Sequence, residues 1–420
     1  MSNFEVPRFS AYLTPLFLLS TAAWAAVPLS PRIEALRAAV HTGQPGAVEA
    51  FWNEVARIGG TPLVECPPGR AHNCLVTFLW RGDASTRNVL VFSEALPGKP
   101  VKHLFRHLPG TDLWFRTYMF RDDARFMYML SINDPLTSWE VEGSQRKKRY
   151  AGVRTDPLNQ RNWCYVSLPR APSERWVEDR PGIPHGEIRR HKLPSKALSG
   201  ERQVEVYLTP NFQSGQAITP VLILFDGEES KILVKVPNIL DNLFFEGHLP
   251  PLLAVFLIQP HERREADLVC SRATNRFLVN ELLPWLWGEY KIRTAAERTI
   301  VAGASLGGLA ASYAALDQPE AFGRVLSQSG SFGWGKRDAE AQSLIAEFRS
   351  RPRVNARFYL DVGMMETKGG AVSQLKSNRR FRDVLRKKGY EVTYREFNGA
   401  HDFPCWRANF AGALLSLLSE

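Results

Sequence analysis

The sequence predicts an α/β protein in two parts, a β-sandwich followed by a doubly wound sheet. Two stretches with different hydrophobic patterns lead to this prediction. Between residues 63 and 168, short alternating strands are separated by turn residues, which is typical of a sandwich. From residue 186 onwards, apolar strands alternate with helices, which indicates a mostly parallel sheet covered on both faces. A chain of 420 residues is long enough to form both cores.

The N-terminal 60 residues carry two signals. Residues 1–25 are predicted to be a cleavable secretory signal peptide, because Arg8 precedes a nearly uncharged apolar stretch that ends in the small-x-small pattern of Ala23–Ala25. The apolar stretch is too short to span a bilayer. Export is therefore expected, and a helix packed on the fold is the alternative. Residues 30–58 follow the helical period, with a break at Gly43–Gly46.

The sandwich is predicted from four strands with aromatic alternation and intervening turns. These strands are Cys74–Trp80, Val89–Phe92, Leu113–Phe120 and Arg125–Ile132. The pattern favours an immunoglobulin-like sandwich, and together with the preceding helix it is assigned to residues 26–180. Pro181–Pro184 reads as a linker, and the second part is assigned to residues 186–420.

The second part is predicted from a regular alternation of elements. Expected strands are Val204–Thr209, Val221–Phe225, Leu252–Ile258, Arg324–Ser329, Arg357–Val362 and Glu391–Phe397; expected helices are Ile239–Phe245, Asn275–Trp287, Ser373–Lys388 and Trp406–Leu418. The continuous apolar runs among these strands are typical of a parallel sheet buried on both faces.

The stretch Thr299–Gly308 combines an apolar strand, a G-x-S-x-G turn and a helical pattern. In such a nucleophile elbow, small residues flank a serine that is held exposed on a tight strand-to-helix turn. We therefore predict that Ser305 is a nucleophile and that the amide of Leu306, at the helix N-terminus, stabilises an oxyanion. An ordinary glycine-rich turn is the alternative.

A serine nucleophile needs a base and an acid, which follow it in chain order in the α/β-hydrolase layout. His401 follows the last predicted strand and precedes the closing helix, where the base belongs. Glu366 lies just past the strand that ends at Val362 and is the favoured acid; Asp361, inside that strand, is the competitor. The amide of Gly227, in the turn after Val221–Phe225, is the second expected oxyanion donor.

Charge and cysteine content restrict the partners. The chain has 53 Lys and Arg against 43 Asp and Glu, giving a net charge of +10. No nucleic-acid motif accompanies this surplus, so nucleic acid is not an expected partner, and an anionic small substrate or simple solubility explains the charge. His and Cys spacing indicates no metal site. In an exported protein, Cys66 and Cys74 could close a loop, although isolated thiols are equally compatible with the spacing.

Motifs along most of the chain resemble the enterochelin (enterobactin) esterases. In the second half these are Phe225–Gly227, Gly303–Gly308, Ser327–Trp334 and Gly399–Arg407; in the first half, Phe51–Trp52, Gly60–Glu65, Val76–Gly82, Pro109–Trp114 and Asp156–Asn159. The elbow half is shared with the wider esterase D superfamily, whereas the N-terminal motifs are more restricted. Two departures are Ala400, where a second glycine often precedes the histidine, and Gly335 after Trp334.

The resemblance implies a serine esterase that hydrolyses the trilactone of ferric enterobactin or a related catecholate siderophore. It assigns Ser305, His401 and Glu366 to the triad, and Gly227 and Leu306 to the oxyanion site. The family also has an Arg-x-x-Glu-Leu motif, which Arg264–Leu268 fits with Asp267 in place of Glu, and Arg264 is therefore a candidate contact for the anionic ligand. Other expected ligand contacts, able to pair charge and pack on catechol rings, are Trp334, Trp406 and Arg407.

No cofactor is expected, the His and Cys spacing indicates no metal in the protein, and no stable membrane insertion is expected because no stretch after the N-terminal segment could cross a membrane. Cytoplasmic and exported relatives of the family both exist, so the predicted signal peptide points to a periplasmic location, with a cytoplasmic one as the alternative. A general esterase D-type carboxylesterase or thioesterase is the first alternative activity, and a non-catalytic siderophore-binding protein is the second. The oligomeric state is left open.

Overall fold

A computed structural model of the chain describes residues 30–69, 72–137, 151–159, 164–215, 219–334, 343–368 and 372–419. The predicted signal peptide, residues 1–25, lies outside the described residues, and so does Gly335. Among the described helices, none has both the length and the apolar character needed to cross a membrane.

The described part of the chain begins with two helices, α1 (Pro31–His41) and α2 (Ala47–Arg57), separated at the predicted break. Ser30 caps α1 by accepting the Ile33 N–H, and Pro31 occupies the first turn, where its missing N–H costs nothing. Gly46 precedes α2 at a φ of 71°, which glycine adopts without strain.

The strands of the first part form two antiparallel sheets and a short ribbon. The strands are β1 (Leu63–Glu65), β2 (Asn73–Arg81), β3 (Val89–Phe92), β4 (Arg106–His107), β5 (Leu113–Arg121), β6 (Arg125–Met127), β7 (Met129–Ile132), β8 (Val153–Arg154) and β9 (Tyr165–Ser167). The sheets have the orders β1-β2-β5-β4 and β3-β7-β8, and the ribbon pairs β6 with β9. The single strand predicted over Arg125–Ile132 is therefore divided at Tyr128, because its two halves pair with different partners.

The larger of these sheets is buried on both faces. Val76 and Phe78 of β2 point into the core between the sheets, where they join Val91 and Leu130. Leu79, on the opposite face of the same strand, packs with apolar residues of α1 and α2. This alternation follows from the two-residue period of a strand. A disulfide joins Cys66, just after β1, to Cys74 at the start of β2.

The second part contains an eight-stranded mixed sheet, which confirms the predicted doubly wound class. Its strands are β10 (Glu187–Ser195), β11 (Gly200–Leu208), β12 (Val221–Leu224), β13 (Leu253–Leu257), β14 (Thr299–Ala304), β15 (Arg324–Gln328), β16 (Arg357–Gly363) and β17 (Glu391–Phe397), in the order β10-β11-β13-β12-β14-β15-β16-β17. β10 and β11 pair antiparallel, β11 pairs antiparallel with β13, and the remaining pairs are parallel.

Helices cover both faces of this sheet. They are α3 (Gly227–Ile232), α4 (Val236–Phe245), α5 (Arg264–Leu268), α6 (Arg272–Phe277), α7 (Leu283–Tyr290), α8 (Leu306–Asp317), α9 (Leu344–Ser350), α10 (Gln374–Lys387) and α11 (Phe403–Leu418). Successive residues of β14 point to opposite cores: Val301 joins the cluster with α8, and Ile300 joins the cluster with α11.

Two elements differ from the sequence prediction for identifiable reasons. The edge strand β10 was not predicted, because its exposed, charged side chains, including Arg189 and Lys192, give no apolar alternation; charge on an edge strand opposes pairing with other chains. The helix predicted over Asn275–Trp287 contains a π-helical segment at Leu278–Leu282. Pro284, which has no N–H to continue the α-helical pattern, follows that segment after one residue.

The two parts meet along β6. The Arg125 N–H donates to the carbonyl oxygen of Asn398 at 3.0 Å, and the Cys405 thiol donates to the Arg125 carbonyl oxygen at 3.0 Å. Ala400 and Met365, from the second part, pack against the core of the first. The loop between β17 and α11 is therefore held by both parts.

Candidate active site

The tight turn between β14 and α8 carries Ser305 at a φ of 56°. This is a strained conformation for a residue with a side chain, and it is the one expected of a nucleophile elbow. A Cβ on Gly303 would lie 2.5 Å from the backbone of Gly307, so the turn closes only when this position is glycine. The glycine of the G-x-S-x-G pattern therefore predicts this tight turn, because any side chain at position 303 would clash with the backbone of Gly307.

Ser305, His401 and Glu366 form one hydrogen-bonded chain. His401 Nε2 lies 3.0 Å from Ser305 Oγ, and His401 Nδ1 lies 2.7 Å from Glu366 Oε2. The other carboxylate oxygen, Oε1, accepts the Gly363 N–H at 2.7 Å and the Ser329 hydroxyl at 2.6 Å. The Glu366 side chain is almost fully buried, with 1% exposed, so these donors replace the water that an ionised carboxylate requires.

Asp361, the competing acid, is not in contact with His401. Its carboxylate accepts a hydrogen bond from Gln328 Nε2 at 3.1 Å on the neighbouring strand. Complete burial, with the nearby Glu366 carboxylate adding to it, raises the Asp361 pKa to about 8. As expected for a residue inside β16, Asp361 lies on one face of the sheet beside Gln328. Glu366 instead reaches the histidine from the loop that follows the strand.

The loop that carries His401 is held by Asp402. One oxygen of Asp402 caps α11 by accepting the Cys405 N–H at 3.1 Å, and the other accepts the Met127 N–H of β6 at 2.8 Å. The indole of Trp406 stands edge-on to the imidazole, with ring centroids 4.9 Å apart. The imidazole is therefore fixed on one side by a ring and on the other by Glu366.

The two expected oxyanion donors lie at neighbouring helix starts. Leu306 begins α8 and Gly227 begins α3. A Cβ on Gly227 would lie 2.7 Å from the backbone of Leu257, so only glycine fits so close to β13. A Cβ on Gly307 would lie 3.3 Å from Asp226, which puts the two turns in contact.

Arg264 makes a bidentate ion pair with Asp226, the residue before Gly227. Both its Nε and its Nη2 lie 2.7 Å from the carboxylate oxygens. The hydrogen bonds to Asp226 raise the Arg264 pKa. The guanidinium thus braces the turn that carries Gly227, and two of the Arg264 donors that were expected to contact a ligand are occupied by Asp226.

The remaining expected ligand contacts differ in accessibility. Trp334 is exposed over 47% of its surface and can contact a ligand. Trp406 is 4% exposed and its indole N–H donates to Ser329 Oγ at 3.0 Å. Arg407 is 9% exposed and pairs with Glu174 of the first part at 2.6 Å. The expectation that Trp406 and Arg407 contact a ligand does not fit this burial: one supports the triad and the other joins the two parts.

Several residues around the triad have no role predicted from the sequence. Ser329 and Ser331 lie in the Ser327–Trp334 motif, Asp226 precedes α3, and Gln374 begins α10. For Ser329, Ser331 and Asp226 the available signal was their position after the C-terminal ends of parallel strands, where open α/β sheets hold their sites, whereas Gln374 lies too far from a strand end to give this signal. With this support, the arrangement can transfer a proton from Ser305 Oγ to His401 Nε2, and the amides of Leu306 and Gly227 remain the expected oxyanion donors.

Comparisons with known proteins agree with both parts of the chain. Residues 195–417 match the family model described as "Putative esterase", and residues 75–177 match the one described as "Enterochelin esterase, N-terminal". The chain is 30% identical over 414 residues to the iron(III) enterobactin esterase of Dickeya dadantii, covering 88% of this chain and 93% of that protein. It is 26% identical to the iron(III) salmochelin esterase of Escherichia coli O6:H1, covering 91% and 96%.

A solved structure has the same overall arrangement. It is the crystal structure of the enterobactin esterase FES from Shigella flexneri in the presence of enterobactin, which matches with a TM-score of 0.73 and 25% identity. The match covers 88% of this chain and 97% of that one.

Proposed function

This chain belongs to the enterochelin esterase family, and from that premise we propose that it is a serine esterase that hydrolyses the trilactone of ferric enterobactin or a related catecholate siderophore. The observation that carries the proposal is the unbroken chain from Ser305 through His401 to Glu366, at 3.0 and 2.7 Å. The match of residues 75–177 to the enterochelin esterase N-terminal family favours this substrate over simpler esters.

Acylation follows from the proton positions that these contacts favour. Glu366 accepts a hydrogen bond from the Nδ1–H of His401, which keeps that proton on Nδ1, so Nε2 is free to take the Ser305 proton as Oγ attacks a seryl ester carbonyl. The carbonyl oxygen becomes an oxyanion facing the N–H groups of Leu306 and Gly227. Collapse breaks the ester C–O bond, and His401 returns the proton to the departing seryl oxygen.

Deacylation repeats these steps with water. A water molecule gives a proton to His401 and attacks the acyl carbon. Ser305 Oγ then leaves and recovers the proton from His401. The product is a free carboxylic acid, and Ser305 is restored.

Positive charge at the seam between the two parts supports an anionic substrate. His103, on the first part, has its pKa lowered to about 4, chiefly by burial and then by the nearby cations Lys368 and Arg116. Lys368 lies two residues after Glu366 in the loop that follows β16. Its Nζ donates to the carbonyl oxygen of Ser93, in the first part, at 3.2 Å. Ferric tris-catecholates are trianions, and the positive charge of Lys368, two residues after Glu366, favours a substrate of negative charge.

The first experiment is product chromatography after incubation with ferric enterobactin. Wild type should release linear or monomeric dihydroxybenzoylserine. The Ser305→Ala variant should bind the siderophore without forming these products. A simple nitrophenyl ester run alongside separates the alternatives. If only the nitrophenyl ester is hydrolysed, the protein is a general esterase; if the siderophore binds to wild type and neither ester is cleaved, it is a binding protein.

We further propose that the protein is exported to the periplasm. The signal-like segment of residues 1–25 supports this location, and so does the Cys66–Cys74 disulfide, because disulfides persist in oxidising compartments. The intact mass of the protein recovered from a periplasmic fraction should correspond to a chain that begins near residue 26. A full-length chain found in the cytoplasmic fraction would contradict the proposal.

A further inference from the structure

The turn Ser329–Ser331, which follows β15, contacts both ends of the triad. The Ser329 hydroxyl donates to Glu366 Oε1 at 2.6 Å. Ser331 Oγ lies 3.2 Å from Ser305 Oγ, and the Ser331 N–H donates to the Ser305 carbonyl oxygen at 2.9 Å. A second hydroxyl is therefore in hydrogen-bond contact with the oxygen that attacks the substrate.

The direction of the hydrogen bond between the two serines follows from their other partners. Gln374 Nε2 contacts the Ser329 carbonyl oxygen and lies 3.3 Å from Ser331 Oγ. A carbonyl oxygen can only accept, so the amide nitrogen, with its two hydrogens, faces the turn. Ser331 Oγ then accepts from Gln374 and keeps its own hydrogen for another acceptor.

The hydrogen of Ser305 is already committed to His401. Because His401 Nδ1 donates to Glu366, its Nε2 must accept, and the donor is the Ser305 hydroxyl. Ser305 Oγ can then only accept from Ser331. The hydrogen bonds run in one direction, from Gln374 to Ser331, to Ser305, to His401.

The turn is held firmly enough to maintain this alignment. Asn378 Nδ2 donates to the Gly330 carbonyl oxygen at 2.8 Å. A Cβ on Gly330 would lie 2.5 Å from both the Phe332 ring and Ser327 Oγ, and Ser331 itself is 8% exposed. Gln374 and Asn378 both come from the first turns of α10, which Ser373 caps.

We propose that Ser331 is a further catalytic residue and that Gln374 is a positioning residue acting through it. The Ser331 hydroxyl directs the Ser305 hydrogen towards His401 and stabilises the negative charge on Oγ while the proton moves. The same charge returns when Oγ leaves the acyl carbon in deacylation. Successive hydrogen bonds in one direction polarise one another, which strengthens the effect of each. The inference rests on Ser305 being the nucleophile proposed above.

The test measures the reactivity of Ser305 separately from siderophore binding. Phenylmethylsulfonyl fluoride forms a sulfonyl–oxygen bond to an activated serine with loss of fluoride, and its second-order rate constant can be measured on the intact protein. Ser331→Ala should lower this constant and kcat by about tenfold, with KM unchanged. Ser312→Ala is the control, since Ser312 is a buried serine whose hydroxyl donates to the Gly308 carbonyl oxygen at 2.9 Å.

A matched pair keeps the test valid if Ser331→Ala is poorly folded. Ser331→Thr and Ser331→Val have the same shape and differ only in the hydroxyl, so Thr should react about tenfold faster than Val. Gln374→Met removes the donor to Ser331. Introduced alone, Gln374→Met should lower the rate constant for labelling of Ser305 by about threefold. Its effect should be smaller when it is combined with Ser331→Ala, because the two residues act in series.

The outcomes separate this inference from the proposed function. If mass spectrometry finds no label on Ser305 of wild type, both the nucleophile and the inference fail. If Ser305 is labelled but Ser331→Ala reacts as fast as wild type, only the inference fails. Equal rates for Ser331→Thr and Ser331→Val, or independent effects of Ser331→Ala and Gln374→Met, would also overturn it.

Discussion

Replacing Glu366 with glutamine tests the acid of the triad most sharply. The Oε1 position receives hydrogen bonds from the Gly363 N–H and the Ser329 hydroxyl, at 2.7 and 2.6 Å. Because the backbone N–H of Gly363 cannot turn away, the carbonyl oxygen of the new amide must occupy this position. Its NH₂ group then lies 2.7 Å from His401 Nδ1 and donates to it.

This reversal changes the histidine tautomer. A donor facing Nδ1 moves the ring proton to Nε2, and a protonated Nε2 cannot accept the proton of Ser305. Glutamine also removes the negative charge that stabilises the imidazolium. A wrong-tautomer substitution of this kind lowers kcat by about 10⁴-fold, which corresponds to about 5.4 kcal/mol of transition-state stabilisation.

The assay is kcat/KM on a nitrophenyl ester near pH 7, with circular dichroism to verify folding. Asp361→Asn is the matched control. Because the pKa of Asp361 is raised to about 8, this group is mostly a neutral acid at that pH, and Asn should alter the rate by no more than about threefold. The reasoning is refuted if Asp361→Asn inactivates the enzyme while Glu366→Gln retains most of its activity.

Three further predictions concern the surroundings of the triad and the first part. Burial raises the Asp361 pKa from 3.8 to about 8, so between these pH values the native state holds a proton that the unfolded chain has lost, and this group's contribution to stability falls as the pH rises. Asp361→Asn should therefore gain unfolding free energy relative to wild type from about pH 4 to about pH 8 in urea denaturation, and a constant difference would exclude this titration. Trp406→Phe removes the donor to Ser329 and should lower kcat by about fivefold at unchanged KM; a rise in KM alone would instead identify Trp406 as a ligand contact. Reducing the Cys66–Cys74 disulfide, whose cysteines are 8 residues apart, should lower the free energy of unfolding by about 2.5 kcal/mol; coincident urea curves with and without reductant would contradict this.

The sequence was most informative where one residue type is sterically required. Gly303 and Gly227 each lie so close to other backbone that no side chain fits, and this requirement made the elbow and the turn at Gly227 recognisable. The order of Ser305, Glu366 and His401 along parallel strands also brings them to one edge of the sheet, since parallel strands end on the same side. The doubly wound fold follows from the same alternation.

The sequence was least informative about side chains whose partners are distant along the chain. Trp406 and Arg407 are adjacent on α11, so they point about 100° apart: one contacts Ser329 beside the triad, and the other reaches Glu174 in the first part. No local pattern distinguishes such contacts from contacts with a ligand. The roles of Ser329 and Ser331 were hidden for the same reason, because neither hydroxyl's partner is a neighbour in sequence.

The first part of the chain helps to fix the geometry of the triad through its contacts with the loop that carries His401. Asp402, next to His401, accepts the Met127 N–H of β6 while capping α11. The loop is also bonded at Asn398 to the backbone of Arg125. Displacements of about 1 Å at a reacting group lower rates by about a hundredfold, so a loop held from both sides fixes His401 more firmly than the second part alone would. The hydrogen bonds at Asp402 and Asn398 therefore connect the position of β6 directly to the loop that carries His401.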